Sequence, residues 1–328
     1  MLKEKRIYET AKTIKNVQKG SLDTYTIFID RSFHLLSKGA NLSFIVPISF
    51  TSSDSLSGVH KMLMESCKEI VVSSYAVRPQ PVFENAVVNT SIFLCKRTDT
   101  RCEHIYSTKM HRKGRNFNLQ YLIDHLEFTD VIKFLQFGRI PKVGSDIERN
   151  ILEKLKDKKK VSFYERATGS PIIYRFAGGR YFKVVTNYSV GSSAERTIFF
   201  PKEYANAIGC CLSSNLSFWF YQIYSDNLNW KSCEISSFPL PSFDNEVLEK
   251  LNNLYTEYLE DIERNANVRI TSGASSYNVS TFKEYKIGRS KAIIDKIDDY
   301  IGPIYGLSNK EIEFVKNYEI EFRLSDDE

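Results

Sequence analysis

The sequence predicts an α/β protein in two parts: a leading segment in which helices and strands alternate, and a trailing α+β segment that ends in helices. Three observations carry this. As far as about residue 97, apolar residues fall by turns at helical spacing and in short strand-like runs; from about 161 the runs become β-like and are separated by Gly- and Ser-containing turns; after about 245 helical periodicity dominates. A length of 328 residues suits two domains at roughly 100 to 200 residues each. We place them at 1–140 and 141–328.

Taken in order, Tyr25, Ile29, Phe33 and Leu36 share one helical stripe, and Gly39 is placed for a left-handed C-terminal cap. Leu42 to Val46 is an apolar run closed by Pro47 and reads as a buried strand. The polar stretch Ser49 to Ser57 reads as a loop capping a second helix, in which Leu56, Val59 and Leu63 share a face. Glu69 to Ser73 and Val87 to Cys95 follow as strands, so the segment predicts a three-stranded α/β sheet with a terminal antiparallel hairpin. Doubly wound domains bind ligands at a switch point in the middle of a longer sheet; the half with that switch point is expected to be missing.

Residues 98–140 read as irregular and basic, with Lys109, Arg112, Lys113 and Arg115 beside His111, either a solvated loop or a phosphate-contacting arm. Ile147 to Leu155 predicts a short helix, followed by the lysine-rich run 156–160. Val161 to Phe163, Ile172 to Phe176, Tyr181 to Val185 and Thr197 to Phe200 predict short strands between turns. Ala205 to Tyr224 reads as one buried helix with Phe218 to Tyr221 in the core. Phe238-Pro239-Leu240-Pro241 breaks the chain. A long amphipathic helix, Val247 to Arg264, carries Leu248, Leu251, Tyr255, Leu259 and Ile262 on one side, Ser290 to Tyr300 is a further helix, and Ser308-x-x-Glu311 is a capping box.

The net charge of +5 is unevenly spread: residues 1–150 carry +7, 151–240 carry +5 and 241–328 carry −7, a basic body suited to a polyanion. Six cysteines without paired metal-type spacing predict free thiols in a reducing compartment. With no long apolar stretch and no signal-like N-terminus, the chain is expected to be soluble and cytoplasmic. Phosphate-binding glycine motifs, a nucleophile elbow and metal-spaced histidines are all absent from the sequence. The acidic groups Asp295, Asp298, Asp299 and Asp326-Asp327-Glu328 read as solvated faces.

Phe33-x-Leu35-Leu36-x-x-Gly39-x-x-Leu42-x-Phe44-Ile45-Val46-Pro47-x-Ser49-Phe50, followed by Val82-Phe83-x-x-Ala86-x-Val88-x-Thr90-x-Ile92, resembles the latter half of the catalytic domain of TaqI-type adenine-specific DNA methyltransferases of restriction-modification systems. Tyr174-Arg175-Phe176 with Tyr181-Phe182, the segment Leu212 to Trp230, Phe238-Pro239-Leu240-Pro241 and Tyr305-Gly306-Leu307-Ser308-x-x-Glu311 resemble the TaqI-like target-recognition domain. The resemblance spans roughly 20–320 and rests on the order of its motifs. It implies a partial Rossmann-like methyltransferase sheet, the trailing strands 5 to 7 lying in the order 5, 7, 6, followed by an α+β target-recognition domain with C-terminal helices.

The departure from the family is as informative. Its members bind S-adenosylmethionine through a Gly-rich turn after strand 1 and hold the target adenine with Asn-Pro-Pro-Tyr after strand 4, yet this sequence has no Asn-Pro dipeptide. The resemblance therefore implies a chain without catalytic residues of its own, binding no cofactor alone, inactive alone, and completed by a companion polypeptide that packs on Leu42 to Val46 and supplies the S-adenosylmethionine site. Phe83 takes the family position that stacks on the flipped adenine. Double-stranded DNA is the expected partner, with Arg112, Lys113, Arg115, Arg166, Arg175, Arg180, Lys183, Trp230 and Lys231 as candidate contacts, arginine being the commonest reader of base edges. A truncated inactive remnant and a stand-alone sequence-specific DNA-binding protein are the alternatives.

Overall fold

A computed structural model describes residues 23–113, 119–136, 138–178, 183–270 and 281–324. Arg115, Arg180, the Tyr181-Phe182 pair and the terminal acidic cluster lie outside the described residues. The chain forms two compact units, Met1–Arg149 and Asn150–Glu328. No helix among the described residues is long and apolar enough to cross a membrane.

The first unit is mixed α/β. Helix α1 (Thr24–Leu35) buries Ile29 and Phe33, as its stripe requires, and leads to β1 (Asn41–Pro47). Its C-cap, Leu36, is extended; Gly39 does adopt a left-handed φ of +86°, but in the turn entering the strand, where its N–H donates to Arg97 O at 2.7 Å. The polar stretch after β1 is itself helical: α2 (Ser49–Ser52) and a 3-10 turn (Asp54–Leu56) precede α3 (Ser57–Ser66), whose N-cap Leu56 supplies no side-chain bond. The expected capping loop is thus replaced by two short turns, while Leu56, Val59 and Leu63 are buried together as their spacing predicts.

Strands β2 (Cys67–Tyr75) and β3 (Thr90–Arg97) pair antiparallel, and β3 lies between β1 and β2. This is the 5, 7, 6 order that the resemblance implies. Its consequence is a face with Leu42, Val46, Ile70, Val72, Phe93 and Cys95 buried, and Phe93 stacks 4.5 Å from Phe50. The irregular reading of 98–140 is corrected. There β4 (His104–His111) pairs parallel to β2, then come α4 (Leu119–Asp124) and β5 (Thr129–Asp130), so the described sheet has five strands in the order β1-β3-β2-β4-β5. His111 ends β4 in the core, where burial and nearby Lys109 push its imidazole down to about 4. It therefore stays neutral and does not join the neighbouring basic residues as a phosphate contact.

The second unit begins within α5 (Asp146–Leu155) and continues into α6 (Val161–Tyr164), a short helix where a strand was expected. A three-stranded antiparallel sheet follows, β6 (Ser170–Arg175) flanked by β7 (Val185–Thr186) and β8 (Glu195–Phe200). The single helix expected over 205–224 is two: α7 (Lys202–Leu212) and α8 (Asn215–Tyr224), interrupted where Ser214 accepts a capping bond from Ser217 N–H. Phe218, Trp219, Phe220 and Tyr221 are buried as expected. The remaining elements are α9 (Ser232–Ser236), α10 (Asn245–Arg264), the hairpin β9 (Asn267–Ile270) and β10 (Thr281–Glu284), α11 (Lys291–Tyr305), α12 (Asn309–Lys316) and α13 (Ile320–Arg323). The Ser308–Glu311 capping box forms in both directions.

Asp298 corrects the reading of a solvated acidic face. It is buried on α11 and accepts the Asn215 and Leu216 backbone N–H groups at 2.8 and 2.9 Å, plus Asn215 Nδ2 at 2.7 Å. Two of the otherwise unpaired N–H groups of the α8 N-terminus are satisfied this way, where the helix dipole favours negative charge. Arg323 braces the same asparagine by donating from Nη2 to Asn215 Oδ1 at 2.8 Å.

Candidate nucleic-acid interface

In the first unit the β2–β3 connection runs from Ala76 to Asn89. The buried Asn89 ties its base, accepting Val77 N–H on Oδ1 at 2.7 Å and Ile48 N–H on its backbone oxygen at 2.8 Å. Between those ties the loop projects Phe83 with 44 % of its surface exposed, and Ala86 N–H turns back on Phe83 O at 3.4 Å. The ring is thus displayed rather than spent on the core. Gln80 bridges to Lys113, and Arg112 Nη1 donates to Arg78 O at 3.4 Å. The structure therefore brings the Phe83 loop together with Arg112 and Lys113, both half-exposed.

In the second unit the candidate contacts divide. Arg166 and Arg175 are exposed: β6 alternates, so Tyr174 turns inward and Arg175 outward. Lys231 is half-exposed, but its Nζ lies 3.1 Å from Asp226 Oδ2, which offsets its charge. Lys183 and Trp230 are corrected. Lys183 is 7 % exposed, donates from Nζ to Gly178 O at 3.1 Å and sits 4.3 Å over the Tyr221 ring. Burial pushes its ammonium down to about 8. Trp230 is 2 % exposed and packs edge-on against Tyr174 and Tyr221 at 5.6 and 6.1 Å. Trp230 links β6 to α8 and Lys183 links the Gly178 turn to α8, so neither is presented to a ligand. Sequence spacing does not single out Phe163, which stands 57 % exposed directly after the lysine run.

Residues 1–83 match the family model described as Eco57I restriction-modification methylase. No curated protein matches the chain. Among solved structures, the nuclease-deletion mutant of the Type ISP restriction-modification enzyme LlaGI, in complex with a DNA substrate mimic, is similar over 100 % of this chain and 51 % of that one, at 12 % identity and a TM-score of 0.41. The ATP-dependent Type ISP enzyme LlaBIII bound to DNA is similar over 87 % of this chain and 31 % of its own, at 12 % identity and a TM-score of 0.40. For the type IIG restriction endonuclease BpuSI the figures are 92 % and 49 %, with 10 % identity and a TM-score of 0.30. The chain thus spans between about a third and a half of these three structures. Likeness this loose assigns no residue a role. The family match is confined to the leading part of the chain, residues 1–83.

Proposed function

We propose that the two units are the trailing strands of the catalytic domain and the target-recognition domain of an adenine-specific DNA methyltransferase of a restriction-modification system. In this reading the chain grips double-stranded DNA and offers Phe83 as the platform for the flipped adenine, a contact worth about 1 to 3 kcal/mol for a stacked base. The methyl-donor pocket and the Asn-Pro-Pro-Tyr motif come from a companion polypeptide, which supplies S-adenosylmethionine to the completed enzyme. The chain alone transfers no methyl group.

The observation that carries this reading is the state of β1. Among the described residues it pairs only with β3, leaving its other edge open. The sheet face opposite the buried core is apolar as well: Ile45 on β1 and Leu94 on β3 are each nearly half-exposed. An open edge beside an apolar face is an association surface. In the family's strand order, strand 4 and its motif belong beside this strand.

Size-exclusion chromatography of the chain mixed with a polypeptide carrying strands 1 to 4 and Asn-Pro-Pro-Tyr tests this. The two co-elute, and Ile45→Lys abolishes co-elution while leaving the chain's own melting transition in place. Separate elution of the wild-type chain overturns the companion.

A further inference from the structure

We infer that Lys158, Lys159, Lys160, Phe163 and Arg166 form a contact surface for the sugar-phosphate backbone of duplex DNA; the inference rests on the DNA-binding reading above. It starts from how the lysine run is disposed. Lys154 and Lys156 are already engaged, the first with Glu311 at 2.5 Å and the second with Glu153. Lys159 is exposed and Lys158 and Lys160 half-exposed, and among the described residues neither Lys158 nor Lys159 has an acidic partner within ion-pair distance.

These cations stand on a fixed backbone. Leu240 N–H donates to Lys159 O at 2.7 Å and Val161 N–H to Phe238 O at 2.9 Å, while the Val161 side chain is fully buried. Tyr164 anchors the other end of α6, its ring 4.9 Å from Tyr204 and 5.6 Å from Phe243. Between these anchors Phe163 points outward, with Lys159 Nζ 4.4 Å from its ring centroid. Arg166 closes the patch: its N–H donates to Phe199 O at 2.8 Å, and Nη1 donates to Phe163 O at 3.2 Å and Glu165 O at 2.8 Å.

Adjacent cations carried on a fixed backbone meet a line of phosphates at a lower ordering cost than cations on a mobile loop would. The exposed ring among them suits a deoxyribose, which is apolar between its phosphates.

The test is fluorescence anisotropy of the full chain with a labelled random-sequence duplex, read as the dependence of binding on salt between 50 and 200 mM. Each phosphate contact that is removed makes the log–log salt slope shallower by about 0.9. Lys158→Ala/Lys159→Ala/Lys160→Ala is expected to make the slope shallower by about 2 to 3, with the triple Lys→Arg variant restoring it. Phe163→Ala weakens binding several-fold at unchanged slope. Should the triple alanine variant lose its melting transition, Lys159→Glu alone decides by the same slope.

A wild-type chain that binds no duplex overturns this inference together with the DNA-binding reading. A wild type that binds, with a variant slope identical to it, overturns the patch alone. So does unchanged duplex binding accompanied by loss of binding to phosphatidylserine vesicles, which assigns the patch to a lipid surface.

Discussion

Asp298→Ala is expected to destabilise the second unit by about 3 to 5 kcal/mol, the cost typical of removing one member of a buried charged network. The substitution leaves the Asn215 and Leu216 N–H groups without their acceptor and removes the negative charge near the buried Arg323 guanidinium. Urea denaturation followed by tryptophan fluorescence reads this directly, because Trp219 lies within α8 itself. The same residue gives a pH signature. Burial raises the Asp298 carboxyl from 3.8 to about 6 against the lowering effect of its N–H donors. The folded state therefore keeps the proton to higher pH than the unfolded chain does. The proton-linked part of Asp298's contribution is complete below about pH 4 and is lost as pH rises through about 6, while its acceptor bonds to Asn215 and Leu216 persist. Asp298→Asn removes that component, so the difference in urea midpoint between wild type and variant changes across this window and is flat above it. A midpoint difference that is constant from pH 4 to 7 contradicts the assignment.

Gly169→Ala carries the second large effect, about 3 kcal/mol or more of lost stability. Gly169 enters β6 at φ +152°, and a Cβ there would lie 2.3 Å from Phe200 O and 3.0 Å from Phe200 C. Those are backbone atoms at the end of β8, in register with Ser170, and the Phe200 side chain is fully buried, so nothing at the contact yields. The measurement is the same urea titration. A loss under 1 kcal/mol would mean that the β6–β8 register is free to slide.

What the sequence makes legible here is local. The Leu56, Val59 and Leu63 face, the Phe218 to Tyr221 core and the Ser308–Glu311 box each depend on residues a few positions apart, and each is found in the structure. What it hides is long-range. Strand β4 alternates buried and less buried residues too weakly to announce itself, and its pairing partner β2 lies more than thirty residues earlier, as the Ser74 N–H bond to Thr108 Oγ1 illustrates. Asp298 looks solvated in an acidic run, and it is buried by contact with the α8 N-terminus, where Asn215 lies 83 residues away in sequence. Lys183 and Trp230 look like surface readers by residue type alone, until Tyr221 and Tyr174 close over them. In the candidate interface, Phe83 is exposed, with Arg112 and Lys113 beside its loop, while the exposed Phe163 carries no sequence pattern of its own.

The proposal that this chain holds DNA while a companion supplies the donor pocket has one most direct test. The direct measurement is transfer of a tritiated methyl group from S-adenosylmethionine to duplex DNA, assayed with the chain alone, with a companion carrying strands 1 to 4 and Asn-Pro-Pro-Tyr alone, and with both. The account predicts N6-methyladenine only when both are present. Methylation by the chain alone, or by the companion to the same extent without it, would contradict it.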